Sequence, residues 1–549
     1  MFCFLTFIQF SEHHSLRKAS PLQANSSSSG NGSGGNATLW MSDLQRSILR
    51  TLAHIPRATK EDDAIAGQPH MPDVWPDFSA TKIDPDIENS FFNRKEEYDM
   101  IIEHLNGAPK VSLLLLGPKN SGKSALLRSI IEKEKSRVTY LNCGRKDVST
   151  PEFMAMELRN LARKLPSQLD MKFIKLLASQ LDPLSKLYTM FYPDQEKQIT
   201  TAATSTEAVF KAVFEEFFPV DKATDLKAVI DTYDFLLQNI PPGQKKPVIV
   251  IDEVNALTLW KRKDAVALKQ LIEFLKRSCK EEHLAHVVLA SSEFFMISWL
   301  QNQGYDANSR DDQVLGDLTS AEAFVYLCGG KVLNRNGVLE DWPGLIAQSK
   351  EIKTLALKMT PEDWKKVWSV CGGNIHLLKI CVGYAKQSKS WEKGVVKTLL
   401  KPQMEVAEAL ERPETIDPPV GSDGSRLWEA KHYKAVLRLI AANPYHAVRQ
   451  KDAEAALKDV GENVTAAQVL LSMVGFNVLS LRPYTEMAKD IPREAFFKKG
   501  RRKEKQDNVV TMPSPAHLAA VLELDVELEE EQGEIKSEQA VEGSSEANS

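Results

Sequence analysis

The segment that most constrains the fold of this chain is Gly117-Pro118-Lys119-Asn120-Ser121-Gly122-Lys123-Ser124, set between the apolar run Ser112 to Leu116 and the helical stretch Ala125 to Lys133. Strand, glycine-rich turn and helix in that order point backbone N–H groups at one spot on a helix N-terminus, where the dipole favours an anion. The spacing fits G-x-x-x-x-G-K-[ST], the P-loop, without a mismatch. The loop is therefore expected to cradle the phosphates of ATP. Lys123 is expected to reach the β- and γ-phosphates, and the Ser124 hydroxyl to ligate Mg2+.

Strand-like runs at Val111 to Leu116, Val138 to Asn142, Val248 to Ile251 and Val287 to Ala290 alternate with longer helical stretches. That is the pattern of a parallel sheet covered by helices, an α/β fold. Val248 to Ile251 ends in Asp252-Glu253, which delivers two carboxylates to the carboxyl edge of a central strand. Alone, such a pair usually marks a solvated turn. Beside a P-loop, Asp252 is expected to hold Mg2+ and Glu253 to orient or deprotonate the attacking water. The run His286 to Ala290 ends in Ser291-Ser292-Glu293. Ser292 is expected to position that water, the alternative being a cap on the next helix. Arg310 is expected to act as an arginine finger supplied to a neighbouring subunit, the alternative being a surface arginine. Thr81-Lys82-Ile83-Asp84 imitates a guanine-reading motif but precedes the P-loop, so adenine is the expected base.

Order is expected to begin near Asn93, where Asn93 and Glu96 have capping-box spacing and Tyr98, Ile101, Ile102 and Leu105 share one helix face. The chain then divides into a flexible leader (1–85), a P-loop core (86–318) with a helical insertion around Leu161 to Leu237, and an entirely helical lid (319–410). A Pro- and Gly-rich linker (411–425), a winged-helix-like domain (426–522) and an acidic tail (523–549) follow. The winged-helix reading rests on helices near Leu427 to Ala442, Lys451 to Lys458 and Thr465 to Val474, then β-rich pieces at Asn477 to Leu481 and Val509 to Met512. An unspecific helical bundle with a loose hairpin is the alternative.

Charge bears on partners. The formal net charge of −5 hides a tail carrying ten acidic residues and one lysine, without which the rest is mildly basic, about +4. The six cysteines are scattered, with no metal-ligand or Cys-x-x-Cys spacing, so zinc and disulfides are not expected. No apolar run approaches the roughly 20 residues of a membrane span. The leader is rich in Ser, Gly and Asn and aligns Leu44, Ile48, Leu49 and Leu52 on one face. Import into a mitochondrion or chloroplast is the expectation, with a disordered arm carrying a partner helix, in cytoplasm or nucleus, as the alternative. The helix Thr465 to Val474 contains no Lys or Arg, which suits protein packing better than DNA reading. The run Lys498-Lys499-Gly500-Arg501-Arg502-Lys503-Glu504-Lys505 has three readings: a weak, sequence-blind grip on nucleic acid, a nuclear localisation signal, or a solvated loop.

With Phe92-Asn93-Arg94-Lys95-Glu96-Glu97, the P-loop, Asp252-Glu253, Ser291-Ser292-Glu293 and Gly372-Gly373 in order, the chain resembles the archaeal-type ATPases of the AAA+/STAND assemblage. The resemblance spans about 91–395 and the winged helix. It departs at Gly372-Gly373-Asn374-Ile375, which lacks the proline of the family's Gly-Gly-x-Pro turn. It implies a P-loop ATPase acting as a molecular switch on a protein partner or through self-association. Origin-recognition and initiator ATPases are the second resemblance, implying DNA binding through the winged helix. Their lid arginine has no counterpart in Ile375-His376-Leu377-Leu378-Lys379.

Overall fold

The computed structural model describes residues 92–162, 224–347, 359–419, 425–498 and 505–524, apart from isolated positions within these ranges. The leader, most of the helical insertion, residues 499–504 of the basic run and nearly all of the acidic tail lie outside the described residues.

Helix α1 (Lys95–Asn106) leads into β1 (Ser112–Leu116), and α2 (Lys123–Lys133) carries the chain to β2 (Val138–Asn142). Then come α3 (Pro151–Ala162), α4 (Leu226–Gln238), β3 (Val248–Asp252), α5 (Ala265–Lys276), β4 (His286–Ser291), α6 (Met296–Asn302) and β5 (Arg310–Val314). The five strands are all parallel, in the order β2-β3-β4-β1-β5. Because side chains alternate along a strand, this sheet sorts its apolar residues into two cores. Leu114, Leu116, Ile249, Ile251, Val287 and Leu289 pack with α3, α4 and α5, while Leu113, Leu115, Val248, Val250 and Val288 pack with α1 and α2. Each such leucine contributes about 1.5–3 kcal/mol on full burial. The register sets Asn142 beside Asp252 and Leu116 beside Ser291, so the strand tips align along one carboxyl edge.

The start of α1 corrects one expectation. Asn93 does not cap it: Arg94 is the N-cap residue and offers no side-chain cap. Asn93 has φ 43°, outside the extended region an N-cap needs, and its amide donates instead to Glu322 at 2.9 Å.

The lid is not entirely helical. After α7 (Ser320–Cys328), Gly329 at φ 98° ends the helix and the chain forms a hairpin, β6 (Gly330–Leu333) with β7 (Leu339–Trp342). The Asn334 side chain accepts from Asn336 N and Val338 N, building the turn that a helical periodicity cannot reveal. Helices α8 (Pro361–Cys371), α9 (Ile375–Ser388) and α10 (Trp391–Glu411) complete the lid.

The C-terminal domain runs α11 (Ala430–Ala442), β8 (Val448–Arg449), α12 (Gln450–Ala456), α13 (Ala466–Gly475) and β9 (Ser480–Arg482). A short hairpin, β10 (Phe497–Lys498) with β11 (Lys505–Gln506), precedes β12 (Val509–Thr511). Strands β8, β12 and β9 pair antiparallel in that order as a small three-stranded sheet. Val469, Leu470, Met473 and Val474 of α13 are buried, as a packing helix requires. A last helix covers residues 515–524, and Gln403 of α10 donates to Glu523 at 2.5 Å, so folded structure runs slightly past the expected start of the tail. The five described cysteines are buried and free, and no described helix is long and apolar enough to cross a membrane.

Candidate nucleotide site

The loop between β1 and α2 depends on its glycines. Gly117 has φ 156°, and a Cβ there would lie 2.4 Å from Leu315 O. Gly122 caps α2 at φ 99° with open space around it, room that a phosphate can use. Lys119 and Asn120 lie at the loop's outer turn, with Ser121 N bonded back to Pro118 O at 3.1 Å. Lys123 is buried, its ammonium donating to Gly117 O at 2.7 Å and Pro118 O at 2.9 Å. Burial lowers its pKa to about 8, against the pull of Glu253, Asp252, Asp317 and Glu293. That surplus of carboxylate around one cation is suited to a site that closes on an anion with a further cation.

Asp252, fully buried at the tip of β3, holds the centre. Its Oδ2 accepts from Ser124 Oγ at 3.0 Å, Tyr140 OH at 2.8 Å and Asn142 Nδ2 at 3.0 Å, and its Oδ1 from Glu253 N at 3.0 Å. Tyr140 and Asn142 escaped sequence reasoning, although both end the strand that pairs with β3. Burial, with the neighbouring Asp252 charge, pushes the Tyr140 phenol up to about 12, so it remains a donor. Among the described residues no three His, Cys, Asp or Glu side chains gather as a metal cage. A paired hydroxyl and carboxylate, Ser124 and Asp252, nonetheless fit Mg2+, which keeps waters and substrate phosphates in its shell.

Glu253 follows in a left-handed backbone conformation (φ 55°, ψ 45°) that turns it out of the strand. Burial first, then the charge of Asp252, raises its pKa, the direction a general base needs. It lines a cavity of about 410 Å³ with Ser124, Arg128, Tyr140, Asn142 and Arg145.

At the tip of β4 it is Ser291, not the expected Ser292, whose hydroxyl is engaged. Ser291 Oγ donates to Asn255 Oδ1 at 3.0 Å and accepts from Glu293 N at 3.0 Å. The strand runs one residue past the expected Ala290, so Ser291 still belongs to it, buried, and Ser292 lies beyond it. Glu293, to which the sequence alone assigns no role, is buried beside the P-loop, 3.2 Å from Lys119 Nζ, and accepts from Asn477 Nδ2 at 2.5 Å.

Arg310 is not a finger. It opens β5 opposite Ser112, at the amino end of the sheet, away from the P-loop. Its guanidinium is buried and spent on Asp312 (2.7 Å), Ile297 O (3.0 Å) and Tyr305 O. A group so fully bonded cannot extend to another subunit.

A second buried cluster joins the P-loop to the C-terminal domain. Arg94 donates to Ser121 O at 3.2 Å, Gly316 O at 2.7 Å and Glu97 at 3.1 Å. Glu97 and Glu96 hold Lys489 at 3.4 and 2.9 Å. Next to Lys489, Asp490 takes both arms of Arg482 at 2.8 and 2.7 Å. Gly316 N donates to Met487 O at 3.3 Å, and Thr485 Oγ1 bonds both N and O of Val314 at 3.2 Å. On the lid side, Leu318 N donates to Gly373 O at 3.0 Å and Asn374 Nδ2 to Asp317 at 3.1 Å. Burial and Asp490 raise the Asp317 pKa to about 7.

Strand order, loop and carboxylate pair together define a P-loop nucleoside triphosphatase of AAA+-like fold. Residues 91–319 match the model of the ATPase domain found predominantly in Archaea. An uncharacterized ATP-binding protein of Methanocaldococcus jannaschii is 27% identical over 267 residues, 46% of this chain and 65% of its own length. One of Pyrococcus horikoshii is 24% identical over 210 residues, 38% of this chain and 56% of its own. The chain thus spans less than two thirds of these relatives. Among solved structures, a Walker-type ATPase of Pyrococcus abyssi gives a TM-score of 0.41 at 14% identity, covering 79% of this chain and 96% of that one. The ORC2 protein of Aeropyrum pernix gives 0.33 at 11%, covering 83% and 98%. At these scores the class rests on the chain's own sheet order and loop.

Proposed function

We propose that the protein is an ATP-hydrolysing switch of the AAA+/STAND kind that couples nucleotide state to its helical and winged-helix domains, and through them to a protein partner or a second copy. The observation that carries this reading is Arg94, whose guanidinium bonds the P-loop carbonyl of Ser121 and the carbonyl of Gly316, the residue against which the winged-helix domain rests. A shift of the loop on filling with phosphate is felt directly at that junction.

In hydrolysis, Lys123 draws the β- and γ-phosphates into the loop, and Glu253 takes a proton from the attacking water. Ser124 and Asp252 would hold Mg2+, which supplies charge neutralisation at the phosphates. Tyr140 and Asn142 keep Asp252 aimed. Asn477, reaching Glu293 beside Lys119, gives the winged helix a second point of contact with the site. The leader's composition supports delivery to a mitochondrion or chloroplast.

The test has two arms. Glu253→Gln should retain ATP binding and slow turnover by at least about a hundredfold, the scale of a lost positioned base. Hydrogen exchange of residues 477–490 should differ between ADP and a slowly hydrolysed ATP analogue, and that difference should vanish in Lys123→Ala. Equal protection in both nucleotides sinks the switch, and unimpaired turnover in Glu253→Gln moves the base elsewhere.

A further inference from the structure

With Arg310 locked at the far end of the sheet, the growing negative charge on a γ-phosphate needs another cation. Four candidates near the edge are committed: Lys123 to the loop, Lys119 to Glu293, Arg94 to Ser121, Gly316 and Glu97, and Arg482 to Asp490. Two arginines remain on the cavity that Glu253 faces, Arg128 and Arg145. Arg128, one turn into α2, ties its Nε to Ser124 O at 3.1 Å. Arg145 is exposed, and among the described residues no ion pair holds its guanidinium.

The loop carrying Arg145 is itself held firmly. Cys143 N donates to Asp252 O at 2.9 Å, and Arg145 N to Asn142 O at 3.2 Å. Gly144 lies so close to the catalytic carboxylate that a Cβ there would be 3.3 Å from Glu253 Cγ. One residue on, a free guanidinium lines the same cavity as Glu253 and Ser124. A fixed backbone and an uncommitted planar fork are what recognition of a phosphoryl group requires.

We infer that Arg145 is a catalytic arginine acting in cis, supplied by the protomer whose own P-loop holds the ATP. The inference rests on the hydrolytic reading above. As the water oxygen bonds to the γ-phosphorus, the bond from that phosphorus to the β–γ bridging oxygen breaks and its electron pair leaves on ADP. The water proton passes to Glu253 and then to the released phosphate. Arg145 donates to the γ-phosphoryl oxygens throughout, stabilising the charge that builds there.

Arg145→Ala should lower kcat by about a thousandfold, the scale measured for arginine fingers, with the KM for ATP little changed. Arg145→Lys should recover only part, since a point charge replaces a fork. An equimolar mixture of Arg145→Ala and Lys123→Ala should show no rescue. Independently of turnover, Arg145→Ala should bind ADP with aluminium fluoride and magnesium at least about a hundredfold more weakly than wild type, while ADP binds equally.

Rescue in the mixture assigns the arginine to a neighbour and overturns the cis role. An Arg128→Ala variant that loses activity while Arg145→Ala does not transfers the role to α2 and overturns it too. A wild type that hydrolyses ATP and binds the mimic, matched in both by Arg145→Ala, refutes the arginine and leaves Glu253 standing. A wild type that does neither refutes hydrolysis and the arginine together.

Discussion

Gly316→Ala isolates the junction between the ATPase core and the C-terminal domain. Gly316 has no positive φ, so alanine fits its backbone without conformational strain. The obstacle is steric: the new Cβ would stand 2.1 Å from Asp490 Oδ1, 2.9 Å from its Cγ and 3.1 Å from Ala488 Cα. Ordinary contact needs about 3.5 Å, so the carboxylate must retreat by more than about 1 Å. Its bonds to Arg482, 2.8 and 2.7 Å, cannot absorb such a shift, and the buried guanidinium loses its partner. Breaking a buried pair in this way costs about 3–5 kcal/mol. Denaturant unfolding followed by circular dichroism should register that loss. Combining Gly316→Ala with Asp490→Ala removes the clashing carboxylate, and there the added cost of the alanine should fall below about 1 kcal/mol. A single variant within about 1 kcal/mol of wild type, or an equal cost with and without Asp490, refutes the reasoning.

Other outcomes follow from the same geometry. Lys123→Ala should abolish ATP binding in a fluorescent-nucleotide titration, because it removes the main side-chain charge on the phosphates, and unchanged affinity would remove the P-loop assignment. Tyr140→Phe deletes one of three donors on Asp252 Oδ2 and should raise the Mg2+ concentration for half-maximal ATPase activity about tenfold, as outer-shell losses do; an unshifted Mg2+ titration contradicts that role. Asp317, with a pKa near 7 in the fold and about 3.9 unfolded, binds an extra proton on folding, so wild type should lose up to about 4 kcal/mol as pH rises from 4 to 7. Asp317→Asn should gain on wild type across that interval, and parallel stability curves for the two proteins count against it. Duplex binding through the β10–β11 hairpin should be weak, sequence-blind and lost by about 200 mM salt, and lost at low salt when Lys498 and Lys505 become Ser; a sequence-selective nanomolar complex by fluorescence anisotropy overturns this.

Much of the core was legible because its strands are buried on both faces. Val248 to Asp252 and His286 to Ser291 are nearly continuous apolar runs, and each ends on a polar tip that marks the carboxyl edge. Strand β5 was not legible, since Arg-Asp-Asp-Gln-Val has neither apolar continuity nor alternation and is held by pairing with β1. That blind spot misplaced Arg310: a charged stretch outside any recognised strand reads as surface. The β6–β7 hairpin was hidden among helical sequence because its turn depends on the Asn334 side chain. Within the site, the loop and Asp252-Glu253 are local patterns. Arg94 with Gly316, and Glu293 with Asn477, are joined only by tertiary folding across 222 and 184 positions, which no periodicity reports.

The five residues from Val314 to Leu318 are gripped from two sides, by Thr485 and Met487 of the C-terminal domain and by Gly373 and Asn374 of the helical region before it. Neither flanking domain can separate from them without stripping buried hydrogen bonds from a segment that also continues a strand of the ATPase sheet. Three regions that look like beads on a string therefore share one seam, and heat should open them together in a single calorimetric transition. A lesion in the C-terminal domain is then felt at the P-loop as lost cooperativity, at a distance from any atom that touches the nucleotide.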